Sequence, residues 1–239
     1  MNAISIKNLN FKFSKNKILN DISFEIPSKK ICAFIGNNGA GKTTTINAIL
    51  NLYKTKSNTK IFINGICHRL PQSRCKLGFA PEYFTFGKIT VKDLLLIVFN
   101  LKNNDGKLNF ENEINKLFKY MHCPKNLLAK KLNVLSSGVR KIVNIIQSLL
   151  CNPNLVIMDE PTSNIDPQNR RYFYETIRKF HKSGTTFFIS THNLSEIRDF
   201  ANWFVIIDNG NLLYSGSKDK CPAKLFHEYF YTKSTLWKK

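Results

Sequence analysis

The chain has 239 residues, 43% of them apolar, and a formal net charge of +20 at pH 7. This apolar content is enough for one large folded domain and gives no sign of disorder. The longest apolar run, residues 94–99, is far shorter than the roughly 18 residues that a membrane-spanning helix needs, and the N-terminus lacks the pattern of a secretion signal. We therefore expect a soluble, cytoplasmic protein.

Basic residues are concentrated in two stretches of the sequence, residues 102–141 and 218–239. Such a surface suits anionic lipid headgroups, nucleic acid or simply water. The six cysteines are scattered, with no Cys-x-x-Cys pair and no His at zinc-ligand spacing, which argues against a metal site built on them. We expect free thiols in a reducing compartment.

Apolar alternation and helical spacing predict strands and helices that follow one another along the chain. Strands are predicted at residues 4–6, 10–13, 22–26, 31–35, 60–64, 77–80, 155–158, 185–189, 204–207 and 212–214. Helices are predicted at residues 42–52, 169–182, 194–201 and 219–231, and a long helical pattern covers residues 91–150. Strands alternating with helices indicate a largely parallel α/β sheet, and the helical middle, about residues 83–148, indicates an inserted helical subdomain.

The most informative segment is residues 36–43, which read Gly-Asn-Asn-Gly-Ala-Gly-Lys-Thr. This is the phosphate-binding P-loop pattern, and it lies between a predicted strand and a predicted helix, as the motif requires. Its glycines let backbone N–H groups wrap a phosphate at the positive end of the helix dipole. Lys42 is predicted to reach the β- and γ-phosphates, and Thr43 to bind Mg²⁺ through its hydroxyl. The residues predicted to hold the nucleotide here are Asn37, Asn38, Gly39, Ala40, Gly41, Lys42, Thr43 and Thr44.

A second motif, residues 155–160, is an apolar strand that ends in Asp159 and Glu160. An α/β sheet binds its ligands at the carboxyl edge, where this strand delivers two acids. Asp159 is predicted to hold Mg²⁺ through water, and Glu160 to polarise the attacking water as the general base. The alternative is a solvated acidic turn. Together with the P-loop, the two acids favour a nucleoside triphosphate hydrolase over a simple nucleotide binder.

Further motifs lie between residues 135 and 192 in a fixed order. They are Leu-Ser-Ser-Gly-Val at residues 135–139, Asp-Glu-Pro-Thr-Ser-Asn-Ile-Asp at 159–166 and Ser-Thr-His at 190–192. In this order, behind a P-loop, they resemble the ATPase subunit of an ATP-binding cassette (ABC) transporter over essentially the whole chain. The resemblance implies a P-loop NTPase α/β fold of the ABC type, a single domain of residues 1–239 with an antiparallel β subdomain and the inserted helical subdomain.

The resemblance also implies roles for individual residues. Residues 135–139 are similar to the family's signature motif, in which Ser136 and the Gly138 backbone would bind the γ-phosphate of an ATP held by a second ATPase subunit. Each ATP would then lie between the two subunits of a homodimer or heterodimer. Asp166 would couple the two sites, and His192 would contact the γ-phosphate, although a lone His after a strand is also a common structural feature. Catalysis is thereby assigned to Glu160, His192 and Lys42.

Phe13 is similar to the aromatic residue that stacks on adenine in this family. Phe11 lies on the same face if the segment is a strand, so the adenine contact could instead be Phe11. Packing in the core is the remaining alternative for both rings.

The sequence departs from the family pattern at three positions. Residues 77–82 look like the family's loop that senses the γ-phosphate and the metal, but Glu82 stands where Gln is usual. Its carboxylate is still a hard ligand for Mg²⁺, but it donates no hydrogen bond. Ser137 replaces the usual second Gly of the signature and Val139 the usual Gln, which adds a Cβ and removes an amide. These changes favour slow hydrolysis or pairing with a different chain, whereas the intact P-loop, acids and His192 favour an active enzyme.

Three functions are consistent with these motifs. The first is an ATPase subunit that uses ATP and Mg²⁺ to power separate membrane-spanning permease subunits from the cytoplasmic face of the membrane, with export of a drug, peptide or lipid. The second is an ABC-type ATPase acting on nucleic acid or a protein assembly, slightly favoured by net charge but without a second cassette or a coiled-coil insertion. The third is a regulatory module that binds ATP with little turnover. We favour the first, with a helical subdomain that receives the permease and no nucleic-acid partner.

Overall fold

The computed structural model describes residues 1–14, 16–83, 87–103, 106–192 and 194–229, and only the backbone of residues 194 and 195. The chain forms two compact units. The first consists of residues 1–74 together with the chain from residue 186 onward, and the second of residues 75–185. In the described ranges, none of the helices combines the length and the apolar character that crossing a lipid bilayer requires.

Strands and helices alternate along the chain, as the sequence predicts. The strands are β1 (Asn2–Phe13), β2 (Asn16–Pro27), β3 (Ile31–Ile35), β4 (Lys60–Ile63), β5 (Ile66–Cys67), β6 (Leu77–Ala80), β7 (Leu155–Asp159), β8 (Thr186–Thr191), β9 (Trp203–Asp208) and β10 (Asn211–Ser217). The α-helices are α1 (Lys42–Ile49), α2 (Val91–Lys102), α3 (Phe110–Tyr120), α4 (Ser137–Leu149), α5 (Pro167–Lys182), α6 (Leu194–Arg198) and α7 (Ala223–His227).

The predicted element boundaries were least accurate at the two ends of the chain. The strands predicted at residues 4–6 and 10–13 are one strand, β1, whose pairing with β2 shifts register between Ile6 and Leu9 and again between Leu9 and Phe11. Asn8 lies in that irregular stretch with a φ of 57°, so the apolar alternation is broken there although the strand continues. The C-terminal helix predicted at residues 219–231 is the short helix α7 after a 3-10 turn, and residues 230 and 231 lie outside the described residues.

The first unit contains two groups of strands. β2, β1, β4 and β5 form an antiparallel sheet in that order, with Ile4 opposite Ile26 on one side and Ile63 on the other. β9, β3 and β8 lie parallel with β3 in the middle, and β10 pairs antiparallel with β9. Every residue of β3 is buried, which is typical of a central strand in a parallel sheet. The antiparallel sheet and the parallel strands confirm the predicted fold class.

The second unit is built around two parallel strands and the helix α4. β6 pairs with β7 from Leu77 opposite Leu155 to Ala80 opposite Met158. All nine residues at 141–149 of α4 are buried, and α4 packs on β6. The packing is close at Gly78, because a Cβ there would lie 1.9 Å from the carbonyl oxygen of Ser148. Each long helix of this unit starts at a polar N-cap whose side chain accepts a backbone hydrogen bond, namely Thr90, Asn109, Ser136 and Asp166.

Candidate functional site

The P-loop runs from the end of β3 to the start of α1, and its glycines fit tightly on two sides. A Cβ at Gly36 would lie 2.7 Å from the carbonyl oxygen of Ile207. Gly41 has a φ of 102°, and a Cβ there would lie 2.5 Å from Cδ2 of Leu19. Between them Gly39 has a φ of 80° and faces open space. The loop is therefore fixed against the first unit at both ends and open in the middle, as a backbone cradle for phosphate requires.

The polar groups of the P-loop are arranged around this opening. Lys42 is only 7% exposed, and its Nζ donates hydrogen bonds to the carbonyl oxygens of Gly36, at 2.9 Å, and Asn37, at 3.4 Å. Asn38 and Thr43 are exposed. All of α1 is described, and it has no acidic residue in its first turn and no side-chain N-cap, so its positive dipole end is not neutralised there. Ala40 is buried and Thr44 half-buried in the same segment.

Two more residues lie at the same edge of the parallel strands. Thr191 at the end of β8 is in register with Ile35 at the end of β3, so the exposed His192 follows its strand where the P-loop follows β3. Asp208 ends β9, and its Oδ1 accepts a hydrogen bond of 3.4 Å from Nδ2 of Asn37. Asp208 was not predicted from the sequence, although an apolar strand that ends in an acid was the signal that identified Asp159.

Three aromatic rings form a cluster in the first unit. Phe11 stacks on Tyr53 with a centroid distance of 5.0 Å, and Phe13 meets both rings edge-on, at 4.9 Å from Phe11 and 5.5 Å from Tyr53. Phe13 is 47% exposed, whereas Phe11 and Tyr53 are half-buried. Phe13 thus presents the most accessible ring, and Phe11 and Tyr53 support it. Tyr53 was not predicted, because it follows a helix 40 positions along the chain with no local motif.

The predicted acids of the second unit are buried at the end of β7. Asp159 is 2% exposed and Glu160 7% exposed. Glu160 has a φ of 46°, a left-handed conformation that is uncommon for a residue with a side chain and is often found at functional sites. A turn follows in which the Oγ of Ser163 donates a hydrogen bond of 2.9 Å to the carbonyl oxygen of Glu160.

Lys141 on α4 lies near three carboxylates. Its Nζ donates a hydrogen bond of 2.6 Å to the carbonyl oxygen of Glu82, and the side chain is 7% exposed. Burial lowers the pKa of Lys141, and the carboxylates of Glu82, Asp159 and Glu160 oppose that shift. The same Glu82 carboxylate raises the pKa of the neighbouring Tyr83 hydroxyl. A buried cation that was not predicted from the sequence therefore interacts with Glu82, Asp159 and Glu160, the acids predicted to hold Mg²⁺ and activate water.

The signature residues lie on and before the first turn of α4. Ser136 is exposed, and its Oγ accepts a hydrogen bond of 3.3 Å from the backbone N–H of Val139. A Cβ at Gly138 would lie 2.9 Å from the carbonyl oxygen of Asn164, so this glycine permits close contact with the loop after Glu160. The substituted Ser137 is exposed. Asp166 in the same loop caps α5, and hydrogen bonds from Asn169 lower the pKa of its carboxyl.

The predicted donors for Mg²⁺, one hydroxyl and two carboxylates, are oxygen ligands of the kind that this ion prefers. Among the described residues, no group of three or more His, Cys, Asp or Glu side chains is arranged to hold a metal ion. Mg²⁺ is commonly bound by one or two carboxylates and the phosphates of a nucleotide, so a dedicated protein cage is not needed. The hydroxyl of Thr43 belongs to the first unit, and the carboxylates of Glu82 and Asp159 to the second.

A parallel sheet whose central strand leads through a glycine-rich loop into a helix, with a buried lysine in that loop, defines the class of P-loop nucleotide-binding proteins. A family model described as ABC transporter matches residues 19–163. A Mycoplasma pneumoniae protein described as an ABC transporter ATP-binding protein is 33% identical over 225 residues, which are 92% of this chain and 68% of that protein. The linearmycin resistance ATP-binding protein LnrL of Bacillus subtilis is 28% identical over 228 residues, 93% of this chain and 71% of that protein. A solved structure of an ATP binding subunit of an ABC transporter has a TM-score of 0.85 at 24% identity and covers 98% of both chains.

The chain belongs to the ABC transporter family. It is an ATP-binding subunit of that family, a nucleotide-binding ATPase whose activity is coupled to transport, and the family assignment made from the ordered motifs is confirmed.

Proposed function

We propose that this ATPase hydrolyses MgATP at the cytoplasmic face of a membrane and powers export of a drug, peptide or lipid through separate permease subunits. The observation that carries the proposal is Glu160, a buried acid in a left-handed turn at the carboxyl end of β7, beside a second acid and a buried cation. Similarity to a linearmycin resistance protein supports the direction of transport.

In the proposed site, residues of the P-loop bind the nucleotide. The backbone of Asn37 to Thr44 surrounds the phosphates at the N-terminus of α1, and Lys42 moves its Nζ from the Gly36 carbonyl oxygen to the β- and γ-phosphates. The exposed ring of Phe13 stacks on adenine, with Phe11 and Tyr53 behind it. Thr43, Glu82 and Asp159 would hold Mg²⁺, which when bound neutralises charge on the phosphate oxygens.

Glu160 and His192 act on the reaction itself. Glu160 accepts a proton from the water whose oxygen attacks the γ-phosphorus, and the bond to the bridging oxygen of ADP breaks. His192, exposed at the carboxyl edge beside the P-loop, donates a hydrogen bond to the γ-phosphate. The intact lysine, acids and histidine support turnover over a purely regulatory role.

A second ATPase subunit completes each site in this proposal. Ser136 and the backbone at Gly138 begin α4 on an exposed surface, where the helix dipole favours the γ-phosphate of a partner's ATP. The exposed position of Ser137 supports this role, because its extra Cβ meets no crowding within the subunit's own core.

The helices at about residues 83–148 are proposed to form the subdomain that receives the permease within a single ATPase domain. Leu96, Ile97 and Leu101 lie within six residues of one another on α2 and are exposed, and Tyr83, eight residues before that helix, is exposed as well. Exposed apolar side chains close together support a protein interface. The high net charge would then face anionic headgroups at the membrane.

Dimerisation driven by ATP tests the composite site. The Glu160→Gln variant with MgATP should sediment as a dimer, because hydrolysis no longer separates the subunits, and it should sediment as a monomer with ADP. A monomer at saturating MgATP, under conditions in which the variant binds ATP, would contradict a site shared between two copies of this chain. Pairing with a different chain would then be the remaining way to complete the site.

Nucleic acid is not proposed as a partner, and its binding is easily measured. In a filter-binding assay, the protein should retain little duplex RNA or DNA at about 150 mM salt, because contacts that rest on phosphate charge alone weaken steeply with salt. Tight binding that persisted at that salt concentration would instead favour the ATPase acting on nucleic acid.

A further inference from the structure

The sensing loop, defined here as residues 79–82, consists of the last two residues of β6 and the two residues that follow the strand. The last pair between β6 and β7 is Ala80 opposite Met158, so Pro81 and Glu82 have no strand neighbour in register, whereas Phe79 still pairs with Ile157. Buried carbonyl oxygens need hydrogen-bond donors from elsewhere, since an unpaired one costs free energy.

Three side chains of α4, three residues apart, donate to this segment: two reach Pro81 and Glu82 beyond the last pair, and the third reaches Phe79 within β6. Gln147 Nε2 donates to the carbonyl oxygen of Phe79 at 2.5 Å, and Asn144 Nδ2 donates to that of Pro81 at 2.8 Å. Lys141 Nζ donates to that of Glu82 at 2.6 Å. We call this set the α4 ladder. Asn144 also accepts a hydrogen bond from Gln147 at 3.1 Å, so the two amides fix each other's orientation.

The third member of the α4 ladder differs from the other two because it carries a charge. Lys141 is 7% exposed, and the carboxylates of Glu82, Asp159 and Glu160 interact with it electrostatically. A buried ammonium is tolerated when carboxylates face it, and removing either partner leaves an uncompensated charge. Glu82 therefore adds a third carboxylate to the two buried acids that interact with this ammonium.

We propose that Lys141 is a positioning residue for ATP hydrolysis, which balances the Glu82 carboxylate and holds the sensing loop in place beside Asp159 and Glu160. This inference rests on the proposed function of those acids. Without the ammonium, three carboxylates would repel one another, and the loop would move away from the position in which Glu82 serves the metal and the γ-phosphate. Glu82 and Lys141 thus act as a compensated pair, which explains how the departure at position 82 is compatible with turnover.

A double-mutant cycle tests the pair. Lys141→Gln should lower kcat by about tenfold and change KM by less than about twofold, because the loop positions the reacting groups rather than binding the nucleotide. In the Glu82→Gln background the same substitution should lower kcat by less than about threefold, since the carboxylate to be balanced is gone. Equal losses in the two backgrounds would overturn the proposal. Lys119→Gln, the same change at an exposed position of α3, is the matched control.

Hydrogen exchange of the sensing loop and the activity of a charge-conserving variant test the positioning role separately. Amide hydrogen exchange of residues 77–83 in the nucleotide-free protein should be faster in Lys141→Gln than in the wild type and unchanged in Lys119→Gln. Unchanged exchange in Lys141→Gln would contradict a positioning role even if no variant hydrolysed ATP, which separates this inference from the proposed function. Lys141→Arg keeps the charge and should keep kcat within about threefold of the wild type. A loss as large as that of Lys141→Gln would show that charge is not what Lys141 supplies.

Discussion

The P-loop and the sensing loop are held in shape by different means. The P-loop depends on its own backbone: Gly36 and Gly41 have no room for a Cβ, and Lys42 bonds carbonyl oxygens five and six residues away. The sensing loop depends on side chains of α4, whose donors are separated from their acceptors by 59 to 68 residues. The P-loop arrangement can be recognised from a local sequence motif, whereas the contacts of the sensing loop join residues that are distant in the sequence and form only in the folded chain.

This difference decides how each region tolerates substitution. A region fixed by backbone geometry does not tolerate larger residues in place of its glycines, and substitutions elsewhere do not compensate for them. A region fixed by distant side chains can accept a departure such as Glu82 if another residue compensates. The comparison predicts large effects from added Cβ atoms at the closest contacts and smaller effects from charges.

The largest effect on stability is expected where β6 meets α4. Gly78→Ala would place a Cβ 1.9 Å from the carbonyl oxygen of Ser148 and should lower the free energy of unfolding by about 3 kcal/mol, because backbone must move. Gly87→Ala in the same unit has nothing within 4 Å of its added Cβ and is the control, with a change within about 0.5 kcal/mol. Equal denaturation midpoints for the two variants would show that β6 and α4 are not as closely packed as described.

A smaller effect is expected in the P-loop. Gly41→Ala combines a φ of 102° with a contact of 2.5 Å to the buried Leu19, and it should cost about 2 kcal/mol in chemical denaturation. Gly39→Ala has a φ of 80° but open space, so only conformational strain of about 1 kcal/mol is expected. If Gly39→Ala were the more destabilising variant, packing against Leu19 would not be what fixes the loop.

Lys102 provides a contrast with Lys141. Its Nζ donates to the carbonyl oxygen of Gln147 at 3.5 Å, and burial lowers its pKa to about 8, opposed by Cys151 rather than by carboxylates. The unfolded chain holds this proton up to about pH 10.5, so the folded state is penalised in full below pH 8, and the penalty disappears as the pH rises to 10.5. Lys102→Met should therefore stabilise the protein at pH 7, by about 1 kcal/mol after allowance for solvent screening, and by less at pH 10.

Thermal unfolding of Lys102→Met at pH 7 and pH 10 checks this prediction, with Lys119→Met as the exposed control. A gain that stayed constant between the two pH values would show that lost charge is not its source.

Much of this protein could be predicted from sequence where the signal is local. The P-loop, the strand that ends in Asp159 and Glu160, and the order of the remaining motifs defined the family and the fold class. The sequence did not predict Lys141, Asn144 and Gln147 as partners of the sensing loop, because polar residues three apart on a helix normally indicate a solvated face and here they are buried. Tyr53 was missed for a similar reason, since its contacts with Phe11 and Phe13 depend on the fold and leave no local pattern.

Phosphate release from ATP by the Glu160→Gln variant, measured beside equilibrium binding of ATP, tests the central claim most directly. Turnover should fall by at least about 100-fold, because the general base is lost, while ATP affinity stays within about threefold of the wild type. Glu111→Gln, the same change at an exposed acid of α3, should leave both unchanged. Turnover in Glu160→Gln equal to that of the wild type would contradict the claim that this buried acid activates the attacking water.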